Sequence, residues 1–492
     1  MNFRDRFSEK MRQPDDALAI SFEGRETTWR EIRDAGVQLD SLLSQSGVDR
    51  MQTVGVLSRN RPGQAAVISN LIDTGRCLSI IYTMQSAEGI ARDIEKLRLP
   101  AIVGSAEDWS PEAIAAARNV GSVGLCLPRR EELELELVPE ISKLNNDLLY
   151  TKFQPQSLGL LSSGTTGKPK RIDFPLSVLD RLIESMSVAD TPVGNLPLEI
   201  NFHPLSGMGG MMLFLGSICR AGAVCLLERY RLGSWLEAIE QHRPSTIVMP
   251  AAVIRDVLDE EISPERLRSV TMVWGGSAPL DPDLQDRFEE IYDIPIIWGY
   301  GATEFAGTAA SWTPALREQF GKSKRGSVGR PFAGISVRLV DPETGVEKRR
   351  GEEGLLEAKV PAFGEKWIRT TDVAVMDEDD FIFLKGRADQ AIIRGGFKVL
   401  PESITDALLD HPAVKDAMAG GIDDRRLGQV PIAAVELAKG SEYVTEENLL
   451  AFLRTKLVSY AIPAAIYILP SLPRTGNMKA NIAALAELGT CE

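Results

Sequence analysis

Short apolar runs alternate with longer stretches of helical periodicity through the first three quarters of the chain. Three of these apolar runs cover residues 246–250, 270–274 and 295–298. This alternation is typical of parallel β-strands that are joined by crossover helices. The hydrophobic pattern therefore predicts an α/β fold in which helices and parallel sheets form layers.

The clearest strand–helix–strand unit covers residues 270–301. Asp281 is the predicted N-cap of a helix, and the proline that follows it is predicted at the first helical position. Apolar residues then recur on one face with the spacing i, i+4 and i+7: Leu284, Phe288 and Ile291. We expect this helix to end near Asp293, where the next strand begins.

Two glycine-containing segments follow the strands of this unit. Residues 275–277 read Gly-Gly-Ser, and residues 299–304 read Gly-Tyr-Gly-Ala-Thr-Glu. In open α/β sheets, ligands bind in the crevice at the carboxyl ends of the strands. We therefore expect both segments to border one ligand site.

The pattern changes after residue 340. Residues 341–385 contain short alternating strands and turns, which predict a β-rich subdomain. From residue 386, a last segment of about 100 residues contains short strands and two helical patterns, 402–410 and 446–458. We predict a large N-terminal domain of layered α/β subdomains with a β-rich subdomain, residues 1–388, and a small α+β C-terminal domain, residues 389–492.

Composition and charge narrow the class of protein. The chain has 492 residues, of which 44% are hydrophobic and 25% are charged, as in an ordinary globular protein. The charges sum to −14 without a long basic run, which disfavours a protein that binds nucleic acid through its phosphates. Any phosphate group must then be bound by a local site.

The rare residue types and the N-terminal sequence exclude further classes. Three histidines leave almost no material for a zinc site or a histidine-based triad, and five widely spaced cysteines do not make a disulfide framework. The N-terminal sequence carries charges where a signal peptide needs an apolar stretch, and the longest apolar run, 210–227, is interrupted by Arg220. We expect a cytoplasmic protein without a membrane span.

A short polar segment is the main candidate for phosphate binding. It combines glycines, hydroxyl side chains and lysines: Ser162, Ser163, Gly164, Thr165, Thr166, Gly167, Lys168 and Lys170. Glycines let the backbone approach an anion, hydroxyls donate hydrogen bonds, and lysines supply positive charge. The segment is not a Walker A loop, because Pro169 stands where that loop needs serine or threonine. By composition alone, such a stretch is also typical of a solvated surface loop.

As a pattern, residues 162–170 resemble the phosphate loop of the acyl-adenylating superfamily, which includes acyl-CoA synthetases, luciferases and peptide-synthetase adenylation domains. Further segments resemble motifs of this family in the same order: 275–280, 299–304, 371–372, 386–399 and 472–479. One departure is Arg171, which replaces a common glycine directly after the phosphate loop. The resemblance implies a large adenylation domain followed by a small mobile domain.

The resemblance assigns the nucleotide contacts. It implies that Tyr300 stacks on the adenine, that Thr303 contacts the α-phosphate, and that Glu304 binds magnesium. Asp372 and Arg387 match the residues that hold the ribose hydroxyls. The loop on the adenine side is matched by three small residues: Gly275, Gly276 and Ser277.

The resemblance also assigns the parts that move. Asp389 matches the hinge residue, and Gly395 and Gly396 lie on the CoA side. Lys479 matches the catalytic lysine of the C-terminal loop. Met478 replaces the glycine that is usual before this lysine, a change that can stiffen the loop.

His203 matches a position that the family fills with an aromatic residue or a histidine, beside the acyl pocket and the thiol tunnel. We assign it as a catalytic or pocket residue, although a lone histidine is as often structural. The residues expected to border the acyl pocket are His203, Gly207, Trp274, Gly301 and Phe305. Because Gly301 aligns with a tryptophan that fills the pocket of acetate-specific members, we expect an open floor. An aromatic or medium-sized acid is then favoured over a dicarboxylate.

The activity implied by the resemblance agrees with the lack of a catalytic triad. A carboxylic acid is already ionised at pH 7, so it needs no general base to attack the α-phosphate of ATP. The implied enzyme is an AMP-forming ligase that uses ATP, Mg²⁺ and CoA to convert a carboxylic acid to its thioester. One alternative transfers the acyl group to an amine or to a carrier-protein thiol. Another, from a different class, is a nucleotide-binding sensor without catalysis, against which the presence of Glu304, Asp389 and Lys479 argues.

Overall fold

A computed structural model gives the structure of the chain and describes residues 2–152, 157–161, 171–180, 198–394, 397–475 and 478–489. The helices of these ranges are α1 (Phe3–Met11), α2 (Trp29–Gln45), α3 (Pro62–Asp73), α4 (Ala87–Leu97), α5 (Pro111–Asn119), α6 (Met208–Ala221), α7 (Leu232–His242), α8 (Ala251–Asp259), α9 (Pro282–Tyr292), α10 (Pro314–Phe320), α11 (Pro401–Leu409), α12 (Glu446–Lys456) and α13 (Ile482–Gly489). The strands of the same ranges are β1 (Leu18–Phe22), β2 (Arg25–Thr28), β3 (Val54–Ser58), β4 (Leu78–Tyr82), β5 (Ala101–Ser105), β6 (Val123–Leu127), β7 (Glu136–Leu137), β8 (Ser157–Leu161), β9 (Arg171–Pro175), β10 (Glu199–Asn201), β11 (Val224–Leu226), β12 (Thr246–Val248), β13 (Met272–Gly276), β14 (Ile296–Ala302), β15 (Gly307–Ser311), β16 (Arg330–Pro331), β17 (Ser336–Val340), β18 (Glu353–Lys359), β19 (Trp367–Met376), β20 (Ile382–Arg387), β21 (Ile392–Arg394), β22 (Phe397–Val399), β23 (Val414–Asp424), β24 (Gly428–Leu437) and β25 (Ile466–Ile468).

Largely parallel sheets form the layers of the large N-terminal domain. One sheet has the strand order β7-β6-β5-β3-β4-β8-β9, and its five central strands run parallel. A second sheet has the order β12-β13-β14-β15-β16, in which β12, β13 and β14 are parallel. A third, β10-β11-β1-β2, is parallel except for the pairing of β1 with β2. The predicted α/β class is confirmed.

Strand β13, helix α9 and strand β14 form the unit that the sequence predicts over residues 270–301. Asp281 caps the helix, and its carboxylate accepts a hydrogen bond of 2.8 Å from the backbone N–H of Asp283. The helix ends at Asp293, whose φ of 53° lies in the left-handed region. Because β13 and β14 are parallel neighbours, their carboxyl ends lie at the same sheet edge. The prediction is confirmed.

The buried face of α9 differs from the expected face at one position. Leu284 and Phe288 are buried as predicted, but the side chain of Ile291 is 49% exposed. Tyr292 is buried instead, and its hydroxyl donates a hydrogen bond of 2.7 Å to the carbonyl of Ile262. Tyr292 continues the row of side chains that are four residues apart on a helix, so the prediction for Ile291 is wrong.

The β-rich subdomain is a four-stranded antiparallel sheet with the order β17-β18-β19-β20. The sequence predicts this region at residues 341–385, whereas the strands begin at Ser336 and end at Arg387. In this sheet Asp372 on β19 lies directly opposite Arg387 on β20. Two residues from separate motifs are therefore neighbours across one strand pair.

The small C-terminal domain is built on the sheet β22-β21-β24-β23, with β25 parallel to β24. The two predicted helices are present as α11 and α12, each within two residues of the predicted bounds. Helix α13 is not predicted, because its eight residues are too few for a clear periodic pattern. Strand β20 ends at Arg387 and β21 begins at Ile392, and the boundary between residues 388 and 389 stays a prediction.

The long apolar run at residues 210–227 does not form one helix. It is divided between α6 and β11, and Gly222, with a φ of 73°, terminates the helix. In the described part of the chain, no helix has both the length and the apolar character that crossing a membrane requires.

Candidate active site

The two glycine-containing segments meet at the carboxyl ends of β13 and β14. Gly276 lies opposite Gly299 in the parallel register. A Cβ atom on Gly275 would lie 1.9 Å from the ring of Trp298, and one on Gly276 would lie 2.7 Å from the carbonyl oxygen of Gly299. Glycine is therefore required where these strands approach each other, and the expected convergence of residues 275–277 with residues 299–304 is confirmed.

Tyr300 and Asp372 form a hydrogen-bonded pair at this edge. The Tyr300 hydroxyl donates to Oδ2 of Asp372. Burial raises the pKa of Tyr300, and the neighbouring carboxylate raises it further. Burial also raises the pKa of Asp372, while the Tyr300 hydrogen bond and the charge of Arg387 act in the opposite direction. The groups assigned to adenine and ribose thus lie in contact.

Arg387 is oriented by the residue assigned as the hinge. Its Nε and one terminal nitrogen donate hydrogen bonds of 2.9 and 2.8 Å to the two carboxylate oxygens of Asp389. These bonds are the main reason why the pKa of Arg387 is raised. A bidentate pair of this kind fixes the plane of the guanidinium. Any change at Asp389 therefore also acts on Arg387.

Lys479 of the C-terminal domain lies at the same site. Its pKa is lowered by burial and by the charge of Arg387, whereas Asp372 and Glu304 act to raise it. Glu304 itself is exposed, in the short helical turn that follows β14. The fold therefore brings together acidic and basic residues from four separate sequence motifs, on both domains.

The metal assignment rests on Glu304 alone. Among the described residues, no group of three or more histidine, cysteine, aspartate or glutamate side chains is placed to hold a metal ion. Magnesium at nucleotide sites is commonly held by one or two carboxylates together with the substrate phosphates. A single exposed carboxylate beside the site fits that mode of binding.

His203 is held against Phe202, with ring centroids 4.4 Å apart and an angle of 20° between the planes. Its Nε2 atom is buried and has no hydrogen-bond partner. Burial lowers the pKa of His203 to about 4, so the ring is neutral at pH 7. A base of such low pKa is weak, and the geometry favours a pocket role over proton transfer.

A buried asparagine that sequence reasoning missed holds the loop of His203 in place. The Asn60 amide donates hydrogen bonds to the carbonyls of His203 (2.9 Å) and Leu227 (3.2 Å), and its oxygen accepts one from the N–H of Leu205 (2.8 Å). Asn60 follows β3 and shows no local pattern that separates it from a loop residue. Its role comes from contacts with distant segments.

The expected pocket residues lie in different environments. Trp274 is 38% exposed and is available to a ligand, whereas Phe305 is 1% exposed and packs edge-on against Tyr300. Gly207 caps helix α6. The pocket roles of these residues stay predictions.

The open floor of the acyl pocket at Gly301 stays a prediction, but the structure gives a second reason for glycine at this position. A Cβ atom there would lie 2.4 Å from the carbonyl oxygen of Gly307 and 2.9 Å from the Cα of Thr308. The register of β14 and β15 shifts between Tyr300 and Gly301, which brings the β15 backbone against this position. Gly301 is thus required by strand packing, and a large residue there would displace β15.

The phosphate-binding segment, residues 162–170, and the CoA-side residues Gly395 and Gly396 lie outside the described residues, so their roles stay predictions. The structure does explain Arg171, at the start of β9. Its guanidinium donates hydrogen bonds of 2.6 Å to the Ser79 hydroxyl and 2.8 Å to the Ile80 carbonyl, both on β4. This arginine ties an edge strand to the interior of its sheet.

A second residue that the sequence did not indicate lies where the two domains meet. Glu402, on α11, places its carboxyl group against Gly386 of β20, and a Cβ atom on that glycine would lie 2.4 Å from Oε2. This oxygen is buried without a hydrogen-bond partner. Burial raises the pKa of Glu402 to about 7, and the charges of Asp406 and Asp372 contribute, against that of Arg387.

Comparison with known proteins matches both domains. The family model described as AMP-binding enzyme matches residues 7–364, and the model of the AMP-binding enzyme C-terminal domain matches residues 403–479. The chain is 25% identical over 484 residues to a 2-succinylbenzoate–CoA ligase of Bacillus pumilus (strain SAFR-032), covering 94% of this chain and 93% of that protein. It is 26% identical over 490 residues to 4-coumarate–CoA ligase 3 of Oryza sativa subsp. japonica, covering 93% and 86%. The solved structure of the amide bond synthetase McbA from Marinactinospora thermotolerans matches with a TM-score of 0.77 at 22% identity, covering 99% of each chain.

Proposed function

The chain belongs to the AMP-binding enzyme family, and we propose that it is an AMP-forming ligase that joins an aromatic or medium-sized carboxylic acid to CoA. The observation that carries this proposal is the proximity of four charged residues: Glu304, which follows β14, Asp372 and Arg387, which lie opposite each other on β19 and β20, and Lys479 of the C-terminal domain. Two relatives that match along most of the chain are CoA ligases named for acids that contain a benzene ring: 4-coumarate, and 2-succinylbenzoate, which also carries a second carboxylate.

In the first half-reaction, a carboxylate oxygen attacks the α-phosphorus of ATP, and the bond to the bridging oxygen of pyrophosphate breaks. Both reactants are anions, so the site must hold them together and compensate the charge that develops. The ammonium group of Lys479 supplies a positive charge, and Asp372 with Arg387 orients the nucleotide. Magnesium bound with ATP would neutralise phosphate charge, with Glu304 as its protein ligand.

In the second half-reaction, the thiol of CoA attacks the carbonyl carbon of the acyl-adenylate, and the bond to AMP breaks. AMP is a good leaving group, so alignment matters more than acid catalysis. Lys479 has no role in this step, and its domain must move away to admit the thiol. Asp389 is the pivot in this proposal.

An acid screen tests the proposed function. Pyrophosphate release is measured with aryl, aliphatic and dicarboxylic acids, including 2-succinylbenzoate and 4-coumarate, with and without CoA. We expect release to depend on the acid and to be greatest with an aromatic or medium-sized one. Absence of release with every acid would instead support a nucleotide-binding sensor.

Replacing Trp274 with alanine tests the wall of the acyl pocket. Because this ring is 38% exposed and we assign it to the wall of the acyl pocket, its loss should lower kcat/KM for the preferred aryl acid by about 10-fold and leave acetate nearly unchanged. Trp367→Ala is the matched control, since that ring stacks under the Arg338 guanidinium at 4.2 Å in the β-rich sheet. Equal losses for large and small acids would contradict a pocket role for Trp274.

Glu402 predicts a pH dependence of the first half-reaction. Because its pKa rises from the ordinary 4.5 to about 7 in the contact with Gly386, ionisation weakens that contact increasingly as the pH rises towards 7. The contact between the Glu402 carboxyl group and Gly386 is therefore most stable at low pH, where the carboxyl group is protonated. Glu402→Gln is neutral at every pH, so the ratio of its pyrophosphate-release rate to that of the wild type should rise between about pH 4.5 and pH 7 and stay level at higher pH.

The control for this pH profile is Glu265→Gln, which changes an exposed carboxylate paired with Arg268. Its ratio to the wild type should stay constant with pH. A constant ratio for Glu402→Gln as well would show that the contact between α11 and β20 does not limit the reaction.

One specific observation keeps the amine acceptor as the second candidate. The amide bond synthetase McbA shares the fold over 99% of both chains, so the fold alone does not select the acceptor. The thiol and the amine are distinguished by which of them releases AMP from the enzyme.

A further inference from the structure

An arginine of the large domain reaches across to the C-terminal domain beside its catalytic loop. Arg255, on helix α8, donates a hydrogen bond to the carbonyl of Lys415 and lies 3.5 Å from Oδ1 of Asp416. The side chains of Arg255 and Asp416 are 14% and 10% exposed. Both charges are therefore largely removed from water and depend on each other for compensation.

The same aspartate holds an arginine of the catalytic loop. Oδ2 of Asp416 accepts a hydrogen bond from Arg474, and Oδ1 accepts one of 3.0 Å from the N–H of Ala417. The other terminal nitrogen of Arg474 donates a hydrogen bond of 3.1 Å to the carbonyl of Met478. Asp416 thus connects the large domain to the residue that precedes Lys479.

Met478 occupies a backbone conformation that does not suit its side chain. Its φ is 61°, in the left-handed region, where a residue with a Cβ atom is disfavoured and glycine is not. Two backbone hydrogen bonds, Met478 to Thr475 (2.9 Å) and Thr475 to Lys479 (2.7 Å), close the turn. The hydrogen bond from Arg474 adds a third restraint on this strained position.

We infer that Arg255 is a positioning residue for Lys479. It fixes Asp416, which fixes Arg474, and Arg474 holds the Met478 turn from which Lys479 enters the site. This inference rests on the proposed function. These contacts join the two domains in the arrangement that brings Lys479 to Asp372 and Glu304. Because the proposed function moves the C-terminal domain out of this arrangement for the second half-reaction, Arg255 acts on the first half-reaction and not on the second.

The interface offers a matched comparison. Asp259, also on α8, pairs with Lys415 at 3.1 Å and contacts neither Asp416 nor Arg474 in the described residues. Arg255→Ala and Asp259→Ala each remove one charged contact between the same helix and the same strand. Arg255 is connected to the Met478 turn through Asp416 and Arg474. Asp259 is connected to the start of the same loop and not to this turn: Lys415 lies 3.5 Å from Glu436, whose Oε1 accepts a hydrogen bond of 2.6 Å from the N–H of Leu472.

The experiment measures both half-reactions in each variant. Arg255→Ala should lower the single-turnover rate of acyl-adenylate formation by roughly 10- to 100-fold, with KM for ATP and acid nearly unchanged. Thioester formation from supplied acyl-adenylate should persist. Asp259→Ala should reduce the first rate much less. Met478→Gly in the Arg255→Ala background should recover part of the loss, because glycine adopts the turn without being held.

Three results would overturn the inference: a normal first half-reaction in Arg255→Ala, equal losses in Arg255→Ala and Asp259→Ala, or equal losses in both half-reactions. Absence of pyrophosphate release by the wild type with every acid is a different outcome, which removes the proposed function itself. A thermal unfolding midpoint for Arg255→Ala close to that of Asp259→Ala shows that the rates compare folded proteins.

Discussion

Replacing Lys479 with alanine is expected to lower the rate of acyl-adenylate formation by about 10²- to 10³-fold, the effect of losing one charged donor to a transition state. Burial lowers the pKa of this lysine, the charge of Arg387 lowers it further, and Asp372 and Glu304 act to raise it; all three neighbours are residues that we assign to the nucleotide or its magnesium. Thioester formation from supplied acyl-adenylate should persist, because the second half-reaction does not use the ammonium group. Pyrophosphate release and thioester formation are measured separately.

The control for this substitution is Lys456→Ala, which removes an exposed lysine of the same domain that pairs with Asp410 at 3.0 Å. Its two half-reactions should match those of the wild type. If Lys479→Ala lost both half-reactions equally, the lysine would have another role, or the Met478 turn would place it differently from this account.

The second large effect is expected at the hinge. Asp389→Pro fixes φ at its position and removes the N–H, so it should retain much of the adenylation and lose most of the thioester formation. We expect the thioester rate to fall at least about 10-fold more than the adenylation rate. The two rates are compared in single turnovers, with acyl-adenylate formed on the enzyme or supplied.

The contacts of Asp389 require a second variant for this test. Proline also removes the two hydrogen bonds to Arg387, at 2.9 and 2.8 Å. Asp389→Ala removes these bonds while leaving the backbone free to rotate, so it reports the effect on Arg387 alone. A normal thioester rate in Asp389→Pro, or the same loss in both variants, would contradict the rotating-domain proposal.

The parts of the fold that the sequence predicts are those encoded by local patterns. The Asp281–Pro pair sets the start of α9, and β13 and β14 each begin with a short apolar run. The burial of Ile291 was predicted wrongly because one face of a helix can include either position i+7 or position i+8 after Leu284. In the structure the side chain at i+8, Tyr292, is buried, and Ile291 at i+7 is exposed. Helix α13 was not predicted because its eight residues make only about two helical turns, too few for a periodic pattern.

The parts of the site that the sequence could not indicate depend on contacts between distant polar residues. Asn60, Glu402 and Arg255 carry no local signal, since isolated polar residues are usually solvated. Their roles arise from burial by segments far along the chain, such as the His203 loop above Asn60. At Gly301 the sequence indicated a pocket role but not the close approach of strand β15, which leaves no room for a Cβ atom.

The most direct test of the CoA-ligase assignment is the release of AMP from preformed enzyme-bound acyl-adenylate. The complex is formed from ATP, Mg²⁺ and the best acid of the screen, and is then mixed with CoA, with an amine or with buffer alone. We expect CoA to accelerate AMP release at least about 10-fold over buffer, with one acyl-CoA, identified by mass, for each AMP. Release that is accelerated by the amine and not by CoA would contradict the assignment and identify the chain as an amide-forming enzyme.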